Sequence, residues 1–238
     1  MNAVLFDLDD TLFDHRESAR AALRAVHAAH AATADFADFE RHHTHYLEEM
    51  HLEVLAGRVD LDEARRERFR RVFRALGVSL AESQADVVAS AYRSGYLTAR
   101  RPLDGAADLL VALKPHARIG IVTNNLLDEQ QDKLAFCGLA PYVDELVASE
   151  DVGVSKPDPR IFQIALDRLG ASAADAVMVG DSWANDVAGA HALGIRAIWF
   201  NPDRAGRPAL PAGIEELHSL TPAARVSALL LGATRASS

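Results

Sequence analysis

The sequence predicts an α/β protein, in which a mostly parallel sheet carries helices on both faces and is interrupted by one all-helical insertion. Two observations lead to this prediction. Short apolar runs typical of buried strands alternate with amphipathic helices in residues 98–238, and another such run lies at residues 3–6. Residues 14–97 show helical periodicity without any run of the strand type. Strands that alternate with helices at this spacing form parallel sheets through right-handed crossovers.

We therefore expect two domains, a sheet-containing core of residues 1–13 and 98–238 and a helical domain of residues 14–97. Apolar faces at helical spacing place the four helices of the helical domain at 16–32, 36–55, 60–76 and 80–96. The strands of the core are expected at 3–6, 118–123, 143–148, 176–180 and 195–200. Its helices are expected at 102–113, 126–136, 159–169, 184–193 and 221–231, and the tail at 232–238 is small and polar enough to fray.

The composition favours a soluble globular protein. Hydrophobic residues make up 49% of the chain and charged residues 25%, which is typical of globular proteins. No apolar stretch approaches the roughly 18 residues that a membrane helix needs, and no signal peptide fits before the first strand. The single cysteine, Cys137, fits a reducing compartment. We expect a cytoplasmic protein, monomeric or homodimeric, with no membrane partner, and the formal charge of −9 argues against nucleic-acid binding.

Polar side chains follow the predicted strands at the points where the strands end. Parallel strands have their carboxyl ends at one edge of the sheet, and ligands bind beyond that edge. We therefore expect one site formed by Asp7, Asp9, Thr123, Asn124, Lys156, Asp181 and Asp186. Asp7 and Asp9 lie on the same face if the extended geometry of the first strand continues that far.

These side chains are the groups needed to move a phosphoryl group. The carboxylate of Asp7 is suited to attack phosphorus and form an aspartyl-phosphate. Asp9 is suited to protonate the leaving alkoxide and then to deprotonate the attacking water. Thr123, the neighbouring backbone N–H groups and the ammonium of Lys156 are suited to hold the phosphoryl oxygens.

The acidic residues also suit a hard divalent cation. Asp7, Asp181, Asp186, the backbone carbonyl of Asp9 and water offer the oxygen ligands that Mg²⁺ requires. Each residue has a plainer interpretation as well. Asp181 and Asp186 are also suited to a helix cap, Thr123 to a strand end and Lys156 to a solvated loop. All of these residues are expected at one edge of the sheet, at successive strand ends, and this coincidence favours the functional interpretation over the plainer ones.

The motifs resemble those of the haloacid dehalogenase-like hydrolase superfamily. The matching segments are Asp7-Leu8-Asp9-Asp10-Thr11, Thr123-Asn124, Ser155-Lys156-Pro157-Asp158-Pro159 and Gly180-Asp181 through Asp186. The resemblance implies a Rossmann-like core and a helical cap of the first type. It also implies Asp7 as nucleophile, Asp9 as acid and base, Thr123, Asn124 and Lys156 as substrate contacts, and Asp181 as a direct Mg²⁺ ligand. Asp186 would act through water or by orienting Lys156.

Residues 121–124 and 147–153 are most similar to the pyrimidine 5′-nucleotidase and N-acylneuraminate-phosphatase branch of this superfamily. Asn125 departs from the pattern, because many relatives have glycine there. We expect Asn125 either to narrow the phosphate loop or to add a polar contact.

The resulting expectation is a Mg²⁺-dependent phosphatase for small phosphorylated metabolites, with nucleoside 5′-monophosphates as first candidates. A 2-haloacid dehalogenase would use the same aspartate against carbon, but it needs no acid at Asp9. A phosphosugar mutase would differ only in the group that receives the phosphoryl group. A non-catalytic regulatory protein that binds phosphate is the third alternative.

Some polar residues receive no function. Only three lysines occur, and Lys114 and Lys133 have no assigned role beside Lys156. The histidines at 42, 43 and 45 lack the cysteines and tight spacing of a zinc site, and they are interpreted as residues of a wet helix face.

Overall fold

A computed structural model of the chain describes residues 2–206 and 214–232. The chain divides into two compact units, Met1–Asp14 with Arg101–Ser238 and His15–Arg100. The sequence places this division at residues 14 and 97. Fraying is predicted for the tail at 232–238, and residues 233–238 lie outside the described residues.

The helical unit contains the four predicted helices. They are α1 (His15–His30), α2 (Phe36–Leu55), α3 (Leu61–Ala75) and α4 (Glu82–Ala99). Two of them begin at aspartates that act as N-caps: the side chain of Asp35 accepts from the N–H of Asp38 and that of Asp60 from the N–H of Asp62. The helices are held together by apolar stripes at helical spacing, among them Phe39 on α2 and Phe69 and Phe73 on α3.

The core unit is built on a six-stranded sheet in which every pair of neighbours is parallel, in the order β3-β2-β1-β4-β5-β6. The strands are β1 (Ala3–Phe6), β2 (Arg118–Thr123), β3 (Glu145–Ala148), β4 (Ala176–Gly180), β5 (Arg196–Phe200) and β6 (Glu215–Leu217). The predicted α/β class with a parallel sheet is confirmed. The strands that follow β1 lie on both sides of it, with β2 and β3 on one side and β4, β5 and β6 on the other. The point where the strand order reverses in this way is where α/β sheets bind ligands.

Helices connect and cover these strands. They are α5 (Ala106–Leu113), α6 (Leu127–Phe136), α7 (Ser149–Val152), α8 (Pro159–Leu169), a π-helical turn (Trp183–Ala188), α9 (Gly189–Ala192) and α10 (Ala223–Leu230). The amphipathic α8 buries Ile161, Phe162, Ala165 and Leu166 in the core cluster that includes Leu5 of β1. Among the described helices, none combines the length and the hydropathy of a membrane-spanning segment.

Three details differ from the predictions. Pro102 does not open a helix, because it forms an antiparallel bridge with Phe13, and α5 begins only after Gly105, whose φ is 84°. The predicted helix at 184–193 begins with a π-helical turn. The strand β6 was not predicted, because Glu215 and Glu216 interrupt any apolar run, and its edge position is held by the ion pair between Arg196 and Glu215 at 2.8 Å.

Two adjacent residues of α5 test how much its buried face contributes to the free energy of unfolding. Leu110 is fully buried, whereas its neighbour Val111 is 49% exposed. We expect Leu110→Ala to lower the free energy of unfolding by about 2–5 kcal/mol because it leaves a cavity. Val111→Ala is the matched control and is expected to change it by less than about 0.5 kcal/mol. Urea unfolding measures both, and equal effects would contradict this account of the core.

Candidate active site

The loops after β1 and β4 are tied together where the two strands end. The N–H of Asp7 donates to the carbonyl oxygen of Val179 at 2.9 Å, which continues the pairing one residue beyond β1. Thr11 then bridges the loops: its Oγ1 accepts from the N–H of Asp181 at 3.1 Å and donates to Oδ2 of Asp7 at 3.5 Å. Asp7 and Asp181 are thereby held on adjacent strand ends, as the sequence predicts.

Lys156 lies between two carboxylates. Its Nζ is 2.6 Å from Oδ1 of Asp7 and 2.7 Å from Oδ1 of Asp186, and its side chain is only 3% exposed. The side chain of Asn124, just after β2, fixes this position. It accepts from the backbone N–H of Lys156 at 2.7 Å and donates to its carbonyl oxygen at 2.8 Å. Asn124 therefore braces the lysine, and its predicted contact with substrate stays a prediction.

Burial and charge oppose each other at this ion pair. Burial alone would lower the pKa of Lys156, but the carboxylates of Asp186 and Asp7 raise it well above its ordinary value. For Asp7, burial raises the pKa strongly, Lys156 lowers it, and the negative charges of Asp186 and Asp181 raise it further. Lys156 therefore keeps its positive charge, and the negative charges crowded around Asp7 favour a further cation at the site.

The three aspartates form a cluster of metal-binding type. Asp7, Asp181 and Asp186 each place a carboxylate oxygen within 4.8 Å of the other two. Because these are hard oxygen donors with excess negative charge, the cluster fits a small divalent cation such as Mg²⁺. The capping interpretation is not needed for Asp181, since Ser182 caps the next turn by accepting from the N–H of Asn185. The proposed metal contact of Asp9, through its backbone carbonyl, stays a prediction.

Asp9 has its own set of partners. The extended geometry of β1 ends at Phe6, and the carboxylate of Asp9 meets Lys133 Nζ at 2.5 and 2.8 Å. Gln130 donates to it at 3.2 Å and Asn125 at 3.1 Å. We call these three donors the Asp9 cradle. The polar contact expected for Asn125 is present, whereas the sequence assigned no role to Gln130 or Lys133.

Lys133 and Gln130 share one face of α6, which is a weak signal of a common role. They are three residues apart and both lie on α6, the helix that directly follows Thr123 and Asn124. Both are buried, with 4% of Lys133 and none of Gln130 exposed. Thr123 is likewise buried at the end of β2, 2% exposed. The candidate site therefore combines two separate lysine–carboxylate pairs at one sheet edge.

Gly180 makes room for Asp186. A Cβ at residue 180 would lie 2.3 Å from Oδ2 of Asp186, closer than any real contact. That oxygen accepts from the N–H of Ser182 at 2.9 Å, so the carboxylate is fixed from two sides. Only glycine at the end of β4 allows Asp186 to reach Lys156 in this way.

The chain is similar to several known proteins. The sequence model of the haloacid dehalogenase-like hydrolases matches residues 1–194. Pyrimidine 5′-nucleotidase YjjG of Escherichia coli is 41% identical over 45% of this chain, a match that spans 48% of that relative, about half its length. Ribulose-1,5-bisphosphate 5-phosphatase of Halopiger xanaduensis is 33% identical over 84% of both chains. The magnesium-bound crystal structure of the putative HAD-hydrolase YfnB from Bacillus subtilis is 25% identical, with a TM-score of 0.76 over 97% of this chain and 98% of that chain.

Gly180→Ala tests the fit of Asp186. We expect the new methyl group to displace the carboxylate, to weaken Mg²⁺ binding by about 10–100-fold and to lower the free energy of unfolding by about 1–3 kcal/mol. Isothermal titration with Mg²⁺ and urea unfolding measure the two effects. In Gly206→Ala, the control, a Cβ meets nothing within 4 Å, and no change is expected. Unchanged Mg²⁺ affinity in Gly180→Ala would contradict the role given to Asp186.

Proposed function

Because the chain belongs to the haloacid dehalogenase-like hydrolase family, we propose that it is a Mg²⁺-dependent phosphatase of small phosphate monoesters. The observation that carries the proposal is the buried Lys156 between Asp7 and Asp186, beside the third carboxylate of Asp181. Such a site offers a nucleophile next to fixed positive charge. The names of two relatives, a nucleotidase and a sugar-bisphosphate phosphatase, support small phosphate esters as the substrate class.

Asp7 is the proposed nucleophile. Lys156 holds Oδ1 at 2.6 Å, while Oδ2 has, among the described residues, only the longer contact with Thr11. Oδ2 is therefore the oxygen that we expect to attack phosphorus. The new bond joins Oδ2 to phosphorus, the bond from phosphorus to the ester oxygen breaks, and its electron pair goes to that oxygen. The result is an aspartyl-phosphate on Asp7 and a free alcohol.

Asp9 is the proposed acid and base. Asp9 must first take up a proton, which it then gives to the departing ester oxygen in the first step. In the second step it takes a proton from water while the water oxygen attacks the phosphorus of the aspartyl-phosphate. Inorganic phosphate leaves, and Asp7 regains its carboxylate. The Asp9 cradle fixes the direction of this carboxylate, so we assign Lys133, Gln130 and Asn125 as positioning residues.

The phosphoryl oxygens need positive charge and hydrogen-bond donors. Lys156, in the loop before α8, and Thr123, the last residue of β2, are the proposed partners of these oxygens, together with the backbone N–H of Asn124. Asp7, Asp181, Asp186 and the carbonyl oxygen of Asp9 would hold Mg²⁺. When bound, this ion supplies further positive charge to the transferring group.

The Asp9 cradle favours phosphatase over dehalogenase chemistry. Displacement of a halide from carbon needs no proton donor, whereas an alkoxide leaving group does. Three buried or half-buried side chains converge on Asp9, which is the residue that dehalogenation would leave unused.

Nucleoside 5′-monophosphates remain the first candidates for substrate, supported by the similarity to the nucleotidase YjjG. The single Cys137 supports a cytoplasmic location.

A panel of phosphate monoesters assayed with Mg²⁺ tests the proposal. We expect release of inorganic phosphate by the wild type, and a loss of roughly 10⁴-fold or more in Asp7→Asn because the nucleophile is removed. The exposed Asp128 of α6 supplies the control, Asp128→Asn, which should retain full activity. The proposal fails if the wild type is inactive on every ester, or if Asp7→Asn matches it.

Lys133→Met tests the positioning of Asp9. The constant kcat/KM includes only steps up to departure of the leaving group. For an alkyl phosphate, whose leaving group needs a proton, we expect kcat/KM to fall by about 10²-fold. For p-nitrophenyl phosphate, whose leaving group departs without a proton, the change should stay within a few-fold.

The control for this prediction is Lys114→Met, which removes a lysine that pairs with Asp144 at 2.8 Å. It should leave the ratio of the two kcat/KM values unchanged. Equal losses for the two esters in Lys133→Met would mean that Lys133 has only a structural role.

A further inference from the structure

The helical unit contains a buried cation whose charge is not matched by a carboxylate. Arg68 on α3 is 6% exposed. Its neighbours on the same helix pair with acids, as in Arg65 with Asp62 at 2.7 Å and Arg66 with Glu63 at 2.8 Å. Within residues 2–206 and 214–232, no carboxylate lies within ion-pair distance of Arg68, and its Nε has no hydrogen-bond partner there.

Aromatic rings surround this guanidinium. Its Cζ lies 4.8 Å from the ring centroid of Tyr92 on α4 and 5.1 Å from that of Phe69 on α3. Cation–π contacts of this kind stabilise a desolvated cation. Removal of a charge from water costs more free energy than two such contacts return, so the rings compensate the burial of Arg68 only in part.

His43 completes the group. It lies on α2 and is 3% exposed, with ring centroids 4.9 Å from Tyr92 and 5.5 Å from Phe69. Burial lowers the pKa of His43 well below its ordinary value, and the charges of Arg68 and His15 lower it further, so the ring is neutral. Among the described residues, Nε2 of His43 also lacks a hydrogen-bond partner. Two unpartnered nitrogens thus belong to one buried group, which we call the Arg68 cluster.

A bound anion would compensate the charge of Arg68 and accept hydrogen bonds from Nε of Arg68 and Nε2 of His43. We propose that the Arg68 cluster, formed by Arg68, His43, Tyr92 and Phe69, binds the acidic group of a small organic anion. A carboxylate or a phosphate group fits, because the planar guanidinium offers parallel N–H donors to either one. His43 adds a neutral donor in the tautomer that carries its proton on Nε2. The proposal rests on contacts inside the helical unit and goes beyond the phosphatase site.

The anion is a small molecule bound by the helical unit itself, which is the part of the chain that the family resemblance implies to be a cap.

Binding is tested on the full chain with ¹⁵N-labelled histidine. Sulfate and acetate are titrated while the ring signals of His43, assigned by their loss in His43→Gln, are followed by NMR. We expect saturable shifts in the wild type, none in Arg68→Met and weaker binding in Arg68→Lys. Arg66→Met removes an arginine that already pairs with Glu63 and should behave as the wild type does. Unresponsive His43 signals in the wild type, or equal shifts in Arg68→Met, would overturn the proposal.

Stability separates a binding role from a structural one. In low salt we expect Arg68→Met to melt at the same temperature as the wild type or higher, because it removes an uncompensated buried charge. Saturating sulfate should then raise the melting temperature of the wild type more than that of the variant. A lower melting temperature for Arg68→Met in low salt would assign Arg68 to the fold and overturn the proposal.

Discussion

The ion pair of Lys156 with Asp7 and Asp186 is the interaction on which the core site depends. A buried lysine is costly unless carboxylates surround it at hydrogen-bonding distance, and here two of them do so at 2.6 and 2.7 Å. Asp7 directly follows β1, and Asp186 lies in the π-helical turn after β4. The parallel order of the sheet is what brings these distant segments together.

Several residues have roles only in relation to this pair. Asn124 holds the backbone of Lys156 on both sides, and Gly180 leaves room for Asp186. The third carboxylate, that of Asp181, exceeds what one lysine can neutralise, which is why the site suits a divalent cation. Asp9 is paired separately with Lys133. The two aspartates of the first motif therefore have different electrostatic surroundings, as two different chemical roles require.

Residues that lie at strand ends were predictable from the sequence, because apolar runs locate the strands and the strand-end rule locates the site. Asp7, Thr123 and Asp181 follow directly from it. Lys133 was not predictable in the same way, since a lysine on an amphipathic helix is usually solvated and only tertiary packing buries it. His43 was misinterpreted for the same reason: it is buried with Phe69 and Tyr92 and does not lie on a wet face.

The central claim is that Asp7 carries the phosphoryl group during the reaction. Mass spectrometry of the enzyme, quenched with acid during turnover of a phosphate ester and digested, tests this claim directly. The account predicts a phosphoryl group on the peptide that contains Asp7, formed with substrate and absent from an unreacted sample. A phosphoryl group on a different residue, or turnover without any covalent phosphoryl-enzyme, would contradict it.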